Sequence, residues 1–266
     1  MIRAGFIGCG NMGGALAAVA ARSVGGEQIL TADHNPGKLE ALRSAWGTVP
    51  SSAAECAAKA PVLFLGVKPQ VLRAAAEELR PVLEAREDRP LIVSMAAGVP
   101  VSAVAELLGG ARVLRIMPNT PVAVGAGVLL YAPGPEVTPE DEAGFLALMD
   151  GAGVCVKLEE AKLDMGSAVT GCGPAFVCLF LEAMTDAGVR CGLPRDKASL
   201  FALHTFAGTA RLALTTGTDP AVLRAAVCSP GGSTIEGVAA LEEHGARAAM
   251  LAAVDAAYRR TLELGK

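Results

Sequence analysis

Near the start of the chain, Arg3 to Leu16 reads Arg-Ala-Gly-Phe-Ile-Gly-Cys-Gly-Asn-Met-Gly-Gly-Ala-Leu, and no other stretch restricts the fold as severely. Gly8, Gly10 and Gly13 stand in G-x-G-x-x-G register, directly after the apolar pair Phe6-Ile7 and ahead of the helix-forming run Ala15 to Ala21. The order is strand, tight turn, helix. Gly8 permits the turn, Gly10 lets the backbone approach a pyrophosphate with no Cβ in the way, and Gly13 lets the helix pack closely on the strand. Free N–H groups at the helix start, at Asn11 and Met12, then face the phosphates. A glycine triplet alone fits any strand-to-helix turn. Here a second strand, Gln28 to Ala32, follows, and the acid Asp33 stands twenty residues past Gly13. The context predicts a dinucleotide site.

At 266 residues the chain is one large or two moderate domains. The apolar share of 52% with one Trp and two Tyr points to a core of Ala, Val and Leu, suited to helices and a parallel sheet. A net charge of −4 without a basic cluster speaks against a nucleic-acid partner. The apolar run Ala175 to Leu181 stops at Glu182, short of a membrane span. No charged-then-apolar export segment stands before Gly8, so a soluble cytoplasmic protein without a membrane partner is expected. The cysteines, at 9, 56, 155, 172, 178, 191 and 228, are odd in number, without a C-x-x-C pair or histidines at ligand spacing. Reduced, mostly buried thiols and no metal are the expectation.

Downstream, Asn35 to Leu42 opens a second helix with Pro36 in its first turn. A short strand near Thr48 and a helix at Ala53 to Ala58 precede Val62 to Val67, apolar on both faces as a central parallel strand must be. Further strands are expected at Leu91 to Met95, Val113 to Met117 and Val128 to Tyr131, with helices at Gln70 to Leu83 and Val101 to Leu108. The strand ends Lys68-Pro69-Gln70, Ala96-Ala97-Gly98 and Pro118-Asn119-Thr120 carry small or polar loops, consistent with one crevice. Thr138-Pro139-Glu140-Asp141 is a capping-box start. From Glu159 only helices are expected, Arg195 to Thr216 being long and apolar on more than one face, which burial against a partner chain would explain. A boundary is placed at the composition shift between Leu158 and Ala161, giving a dinucleotide-binding domain over 1–158 and a helical domain over 159–266.

Cys228-Ser229-Pro230-Gly231-Gly232-Ser233-Thr234-Ile235-Glu236 is the second landmark. Ser233 and Glu236 fit a capping box, while the two glycines expose N–H groups beside a helix dipole, a combination suited to a carboxylate. With Gly5-Phe6-Ile7-Gly8-Cys9-Gly10-Asn11-Met12, Val67-Lys68-Pro69-Gln70, Ala96-Ala97-Gly98, Met117-Pro118-Asn119-Thr120-Pro121 and Gly171-Cys172-Gly173-Pro174-Ala175, it resembles the successive signatures of the pyrroline-5-carboxylate reductases, six motifs in order across nearly the whole chain. The resemblance implies NAD(P)H-dependent reduction of 1-pyrroline-5-carboxylate, the last step of proline synthesis. It also implies a Rossmann-type doubly wound, mostly parallel α/β domain, and a C-terminal all-helical domain that interlocks a homodimer, often assembled further into decamers.

On that resemblance Lys68, Asn119 and Thr120 lie along the nicotinamide and its ribose, Ala97 and Pro118 line it, and Val67, Pro69, Ala96 and Gly98 complete the cofactor set. Gly231, Gly232, Ser233 and Thr234 hold the substrate carboxylate, and the Thr234 hydroxyl serves the ring nitrogen as the catalytic group. Two departures stand out. Cys172 puts a thiol where the family commonly has a serine on the substrate side. Asp33 favours a free ribose 2′-hydroxyl, although His34, Asn35 and Lys38 could still receive a phosphate; both NADH and NADPH stay open, with a slight tilt towards NADH. A β-hydroxyacid-type dehydrogenase needs a base on the first long helix of its second domain, and Gly173 to Ala187 contains no Lys or His. A non-catalytic NAD(P)-binding sensor is the other alternative.

Overall fold

The computed structural model describes residues 1–264, so the last two residues of the expected 159–266 domain lie outside the described residues. The chain forms two compact units, Met1–Cys172 together with the segment from Ala257 onward, and Gly173–Ala256.

The first unit is built on one sheet of β1 (Ala4–Ile7), β2 (Ile29–Ala32), β3 (Val49–Pro50), β4 (Val62–Leu65), β5 (Leu91–Ser94), β6 (Arg112–Pro118), β7 (Gly127–Pro133) and β8 (Gly153–Lys157). Their order is β3-β2-β1-β4-β5-β6-β7-β8, and every neighbouring pair is parallel except β6 with β7. This is the doubly wound, mostly parallel arrangement the alternating pattern predicts. The strand β8 was not expected. It is a short edge strand set by its pairing with β7, Leu129 opposite Cys155, and Val154 is exposed, so its own sequence carries little pattern.

Helices α1 (Asn11–Val24), α2 (Pro36–Trp46), α3 (Ala53–Lys59), α4 (Pro69–Glu84), α5 (Val101–Leu107), α6 (Pro139–Leu148) and α7 (Glu160–Thr170) complete this unit. Pro36 opens α2 behind the cap Asn35, whose side chain accepts the Gly37 N–H at 2.9 Å. Thr138 and Asp141 form the expected capping box of α6, with Pro139 at its first position. On one face of the sheet the Phe6 and Phe64 rings stack with centroids 4.2 Å apart, and Phe145 of α6 sits 6.4 Å from Phe64. On the other, Ile7, Leu63, Leu65 and Ile92 pack with Leu72, Ala76 and Leu79 of α4 and Val101 and Val104 of α5. Each such large side chain contributes about 1.5–3 kcal/mol on full burial. A third cluster sets Leu163 of α7 against Met117, Leu130 and Ala132, so the first helix after the composition shift packs on the sheet.

The second unit is helical: α8 (Gly173–Arg190), α9 (Arg195–Thr216), α10 (Pro220–Ala226), α11 (Ser233–Glu243) and the first part of α12 (Ala246–Leu264). Among its described residues only Thr185, Ala198 and Ala202 are buried, while Leu179, Phe201, Leu203, Leu212, Leu214 and Leu251 are exposed. Glu160–Arg190, spanning α7 and α8, is long and apolar enough by length and composition to cross a membrane. Core helices of soluble proteins pass the same test, and the uninterrupted apolar run inside this stretch is Ala175 to Leu181.

Candidate active site

Strands β2, β1, β4, β5 and β6 run parallel, so their carboxyl ends share one edge of the sheet. That edge gathers Asp33–Asn35, Gly8–Met12, Gly66–Pro69, Ala96–Gly98 and Pro118–Thr120. Strand order reverses between β1 and β4, the place where open α/β sheets bind ligands. There the two backbones nearly touch. Gly8 has φ +89°, and a Cβ on it would lie 2.8 Å from the Gly66 carbonyl, while one on Gly66 would lie 2.3 Å from the Gly8 oxygen. A Cβ on Gly13 would stand 2.0 Å from that same oxygen. Sequence reading passed over Gly66; its signal is a glycine directly behind the buried β4 run.

Gly10 differs, because a Cβ there would meet nothing within 4 Å. It is also the N-cap of α1, with no side chain bonded across the helix start, so the N–H groups of Asn11, Met12 and Gly13 have no intrahelical acceptor. A bare backbone floor with outward donors at the positive end of a helix fits a pyrophosphate.

Beside it, the Asp33 carboxylate accepts the Asn35 N–H at 2.9 Å and lies 3.4 Å from His34 Nδ1 and 3.6 Å from Lys38 Nζ. The Cys9 thiol is buried 3.8 Å from the Phe6 carbonyl and 3.7 Å from that of Ala32. Burial, and then the charge of Asp33, pushes it up to about 12, so it is filler within the turn and no nucleophile at neutral pH.

Across the switch point, Lys68 caps α4, is exposed and has no ion-pair partner among the described residues. Val67, Pro69, Ala97, Gly98 and Pro118 are half-buried, Ala96 is buried and Thr120 is exposed. Asn119 departs from expectation. Its side chain is buried and turned inward, Nδ2 donating to the Thr170 carbonyl at 3.0 Å and Oδ1 accepting the Val128 N–H at 2.8 Å. Both ends of the amide are thereby engaged by the backbone, in a side chain that is buried away from the cofactor edge.

In the helical unit Gly231 has φ +67°, a conformation that favours glycine. The N-cap of α11 is Gly232, not Ser233, and no side-chain cap bond forms, which corrects the capping-box reading. Gly232 is also not a free donor, since its N–H goes to the Ser229 carbonyl at 3.0 Å. The donors left by the helix geometry are those of Ser233, Thr234 and Ile235, all exposed. Cys172 is half-buried in the turn between α7 and α8, its N–H donating to the Ser167 carbonyl at 3.2 Å. His204 is exposed on α9 and His244 in the turn that ends α11, His244 Nδ1 lying 2.9 Å from the Ala240 carbonyl.

A glycine-floored crevice at the switch point, followed by helices whose apolar faces lack cover, defines an NAD(P)-dependent oxidoreductase of the Rossmann type that associates through its helical part. Residues 160–264 match the family model for pyrroline-5-carboxylate reductase dimerisation, and residues 3–98 match that for coenzyme F420-dependent NADP oxidoreductases. The chain is 40% identical over 266 residues to the pyrroline-5-carboxylate reductase of Escherichia coli (strain K12), covering 98% of each. Two solved structures superimpose closely. One, a pyrroline-5-carboxylate reductase from Coxiella burnetii, has a TM-score of 0.89 and 30% identity over 100% of this chain and 99% of that one. The other, Plasmodium falciparum pyrroline carboxylate reductase with NADP bound, has a TM-score of 0.89 and 27% identity over 100% and 98%. The chain belongs to the pyrroline-5-carboxylate reductase family.

Proposed function

We propose that the sheet edge holds the cofactor and the start of α11 holds the substrate carboxylate. The reaction is the reduction of the C=N bond of 1-pyrroline-5-carboxylate by NAD(P)H to L-proline, the last step of proline biosynthesis. The observation that carries the cofactor assignment is the empty space over Gly10 beside the unbonded N–H groups of α1. Gly8 and Gly13 shape that floor, Asn11 and Met12 donate to the pyrophosphate, and Asp33, His34 and Asn35 flank the adenosine ribose. Val67, Lys68, Pro69, Ala96, Ala97, Gly98, Pro118 and Thr120 border the nicotinamide side, where NAD(P)H supplies the hydride.

At the substrate the Ser233 and Thr234 N–H groups bind the carboxylate, Gly231 and Gly232 let it approach, and Cys172 lies on the substrate side. The Thr234 hydroxyl bonds the ring nitrogen and steadies its proton. A protonated imine is already electrophilic, so no strong acid is required, in keeping with a His34 that belongs to the cofactor loop and a His204 and His244 that belong to no motif. Residues 160–264, which match the dimerisation model, supply the surface through which the dimer assembles, and dimers combine further into decamers. The location is cytoplasmic, supported by seven free cysteines, which suit a reducing compartment.

Thr234→Ala tests the catalytic assignment. Its exposed hydroxyl leaves stability within about 0.5 kcal/mol of the parent, while kcat falls about 100-fold. A variant as fast as the parent removes Thr234 from the chemistry. Oxidation of NADH and NADPH with pyrroline-5-carboxylate, set against reduction of NAD⁺ and NADP⁺ with a 3-hydroxy acid, tests the reaction itself.

A further inference from the structure

The inward turn of Asn119 joins a wider pattern on α7. The last residue of that helix, Thr170, presents a carbonyl without an intrahelical donor, and Asn119 Nδ2 supplies one at 3.0 Å. At the other end Glu160 Oε1 accepts the N–H of Val101, the first residue of α5 and three positions beyond Gly98, at 2.6 Å. Between them Arg115 of β6, buried, contacts Asp164 at 2.5 Å and Glu160 at 3.7 Å. The helix is thus fastened at both ends, through Glu160 to the start of α5, three positions beyond Gly98, and through Asn119 to the Pro118–Thr120 segment of the cofactor edge.

We propose that Asn119 is a positioning residue for hydride transfer, fixing Pro118 and Thr120 against the end of α7 without touching the cofactor through its own side chain. This rests on the placement of the nicotinamide at this edge. Strand pairing does not need the amide, because β6 and β7 are already in register from Leu114 opposite Pro133 to Pro118 opposite Leu129. Losing it therefore releases the loop and leaves the sheet intact, and small misplacements of reacting atoms are costly.

Asn119→Asp separates the two bonds: a carboxylate still accepts the Val128 N–H but has no donor for the Thr170 carbonyl. Asn119→Ser serves as the second variant. The expected result for Asn119→Asp is a folded, associated enzyme whose NADH and NADPH Kd, by fluorescence titration, stay within threefold of the parent. Its kcat falls at least tenfold, and its KM for pyrroline-5-carboxylate is little changed. A folded variant with kcat within twofold of the parent overturns the proposal. So does a kcat loss matched by an equal loss of cofactor affinity, which makes Asn119 a direct ligand, or failure of both variants to fold, which makes it a folding residue. An inactive parent under the same conditions marks failure of the reaction assignment instead.

Discussion

Gly10→Ala isolates the cofactor contact from the fold. The residue has φ −68° and ψ −166°, accessible to alanine, and its new methyl would meet no protein atom within 4 Å. Exchanging glycine for alanine at an N-cap costs about 1 kcal/mol or less. The methyl instead fills the space a pyrophosphate must enter to reach the N–H groups of α1, so cofactor affinity drops about 100-fold, or about 2.8 kcal/mol. Gly13→Ala is the control. Its Cβ would lie 2.0 Å from the Gly8 carbonyl oxygen, where about 3.5 Å is comfortable, so α1 must shift by more than an ångström at a cost of about 1–3 kcal/mol or more. Fluorescence titration with NADH and NADPH and thermal denaturation of both variants read the two effects. Cofactor binding within threefold of the parent in Gly10→Ala, or a loss of stability matching that of Gly13→Ala, would refute the assignment of Gly10 to the pyrophosphate floor.

Asp33→Ser removes the carboxylate but leaves Lys38 and His34 in place; the ratio of NADH to NADPH affinity should shift at least tenfold towards NADPH, and an unchanged ratio shows that Asp33 does not face the ribose. Glu142 takes the Lys157 ammonium at 2.6 Å and the Tyr131 hydroxyl at 2.8 Å, and its carboxyl is held below the ordinary value, chiefly by Lys157. A lowered folded-state pKa gives stability that is fully present above the ordinary value of 4.5 and lost as pH falls through the folded-state value. Glu142→Gln should therefore show a shallower loss of thermal stability on acidification than the parent, and parallel curves would dismiss the linkage.

The first helix and its turn were legible because each glycine in them answers a steric demand the motif states: a positive φ at Gly8, closeness at Gly13, vacancy at Gly10. The strand ends were legible because runs buried on both faces, such as Val62 to Leu65, have one physical reading. The inward turn of the Asn119 side chain is something sequence cannot supply. An asparagine at a strand end suits a ribose equally well as it suits two backbone partners, and those partners come from β7 and α7, the latter far along the chain. Gly232 is a similar case, since glycine before a helix start signals exposed N–H groups but not the local turn that engages one with Ser229.

The helical unit raises the question of what keeps it ordered. Ordering each residue costs about 1–2 kcal/mol in backbone entropy, and within the described part of Gly173–Ala256 only Thr185, Ala198 and Ala202 are buried to offset it. The compensating surface is present but uncovered: Leu179, Phe201, Leu203, Leu212, Leu214 and Leu251 each gain about 2 kcal/mol on full burial. Residues 160–264 match the family's dimerisation model, and burial of that surface against a second copy would supply the compensation. Association and ordering of this unit are then one event, and the stability of the enzyme cannot be separated from protomer concentration. Because Ser233 and Thr234 belong to the same unit, dissociation also removes the order of the groups assigned to the substrate.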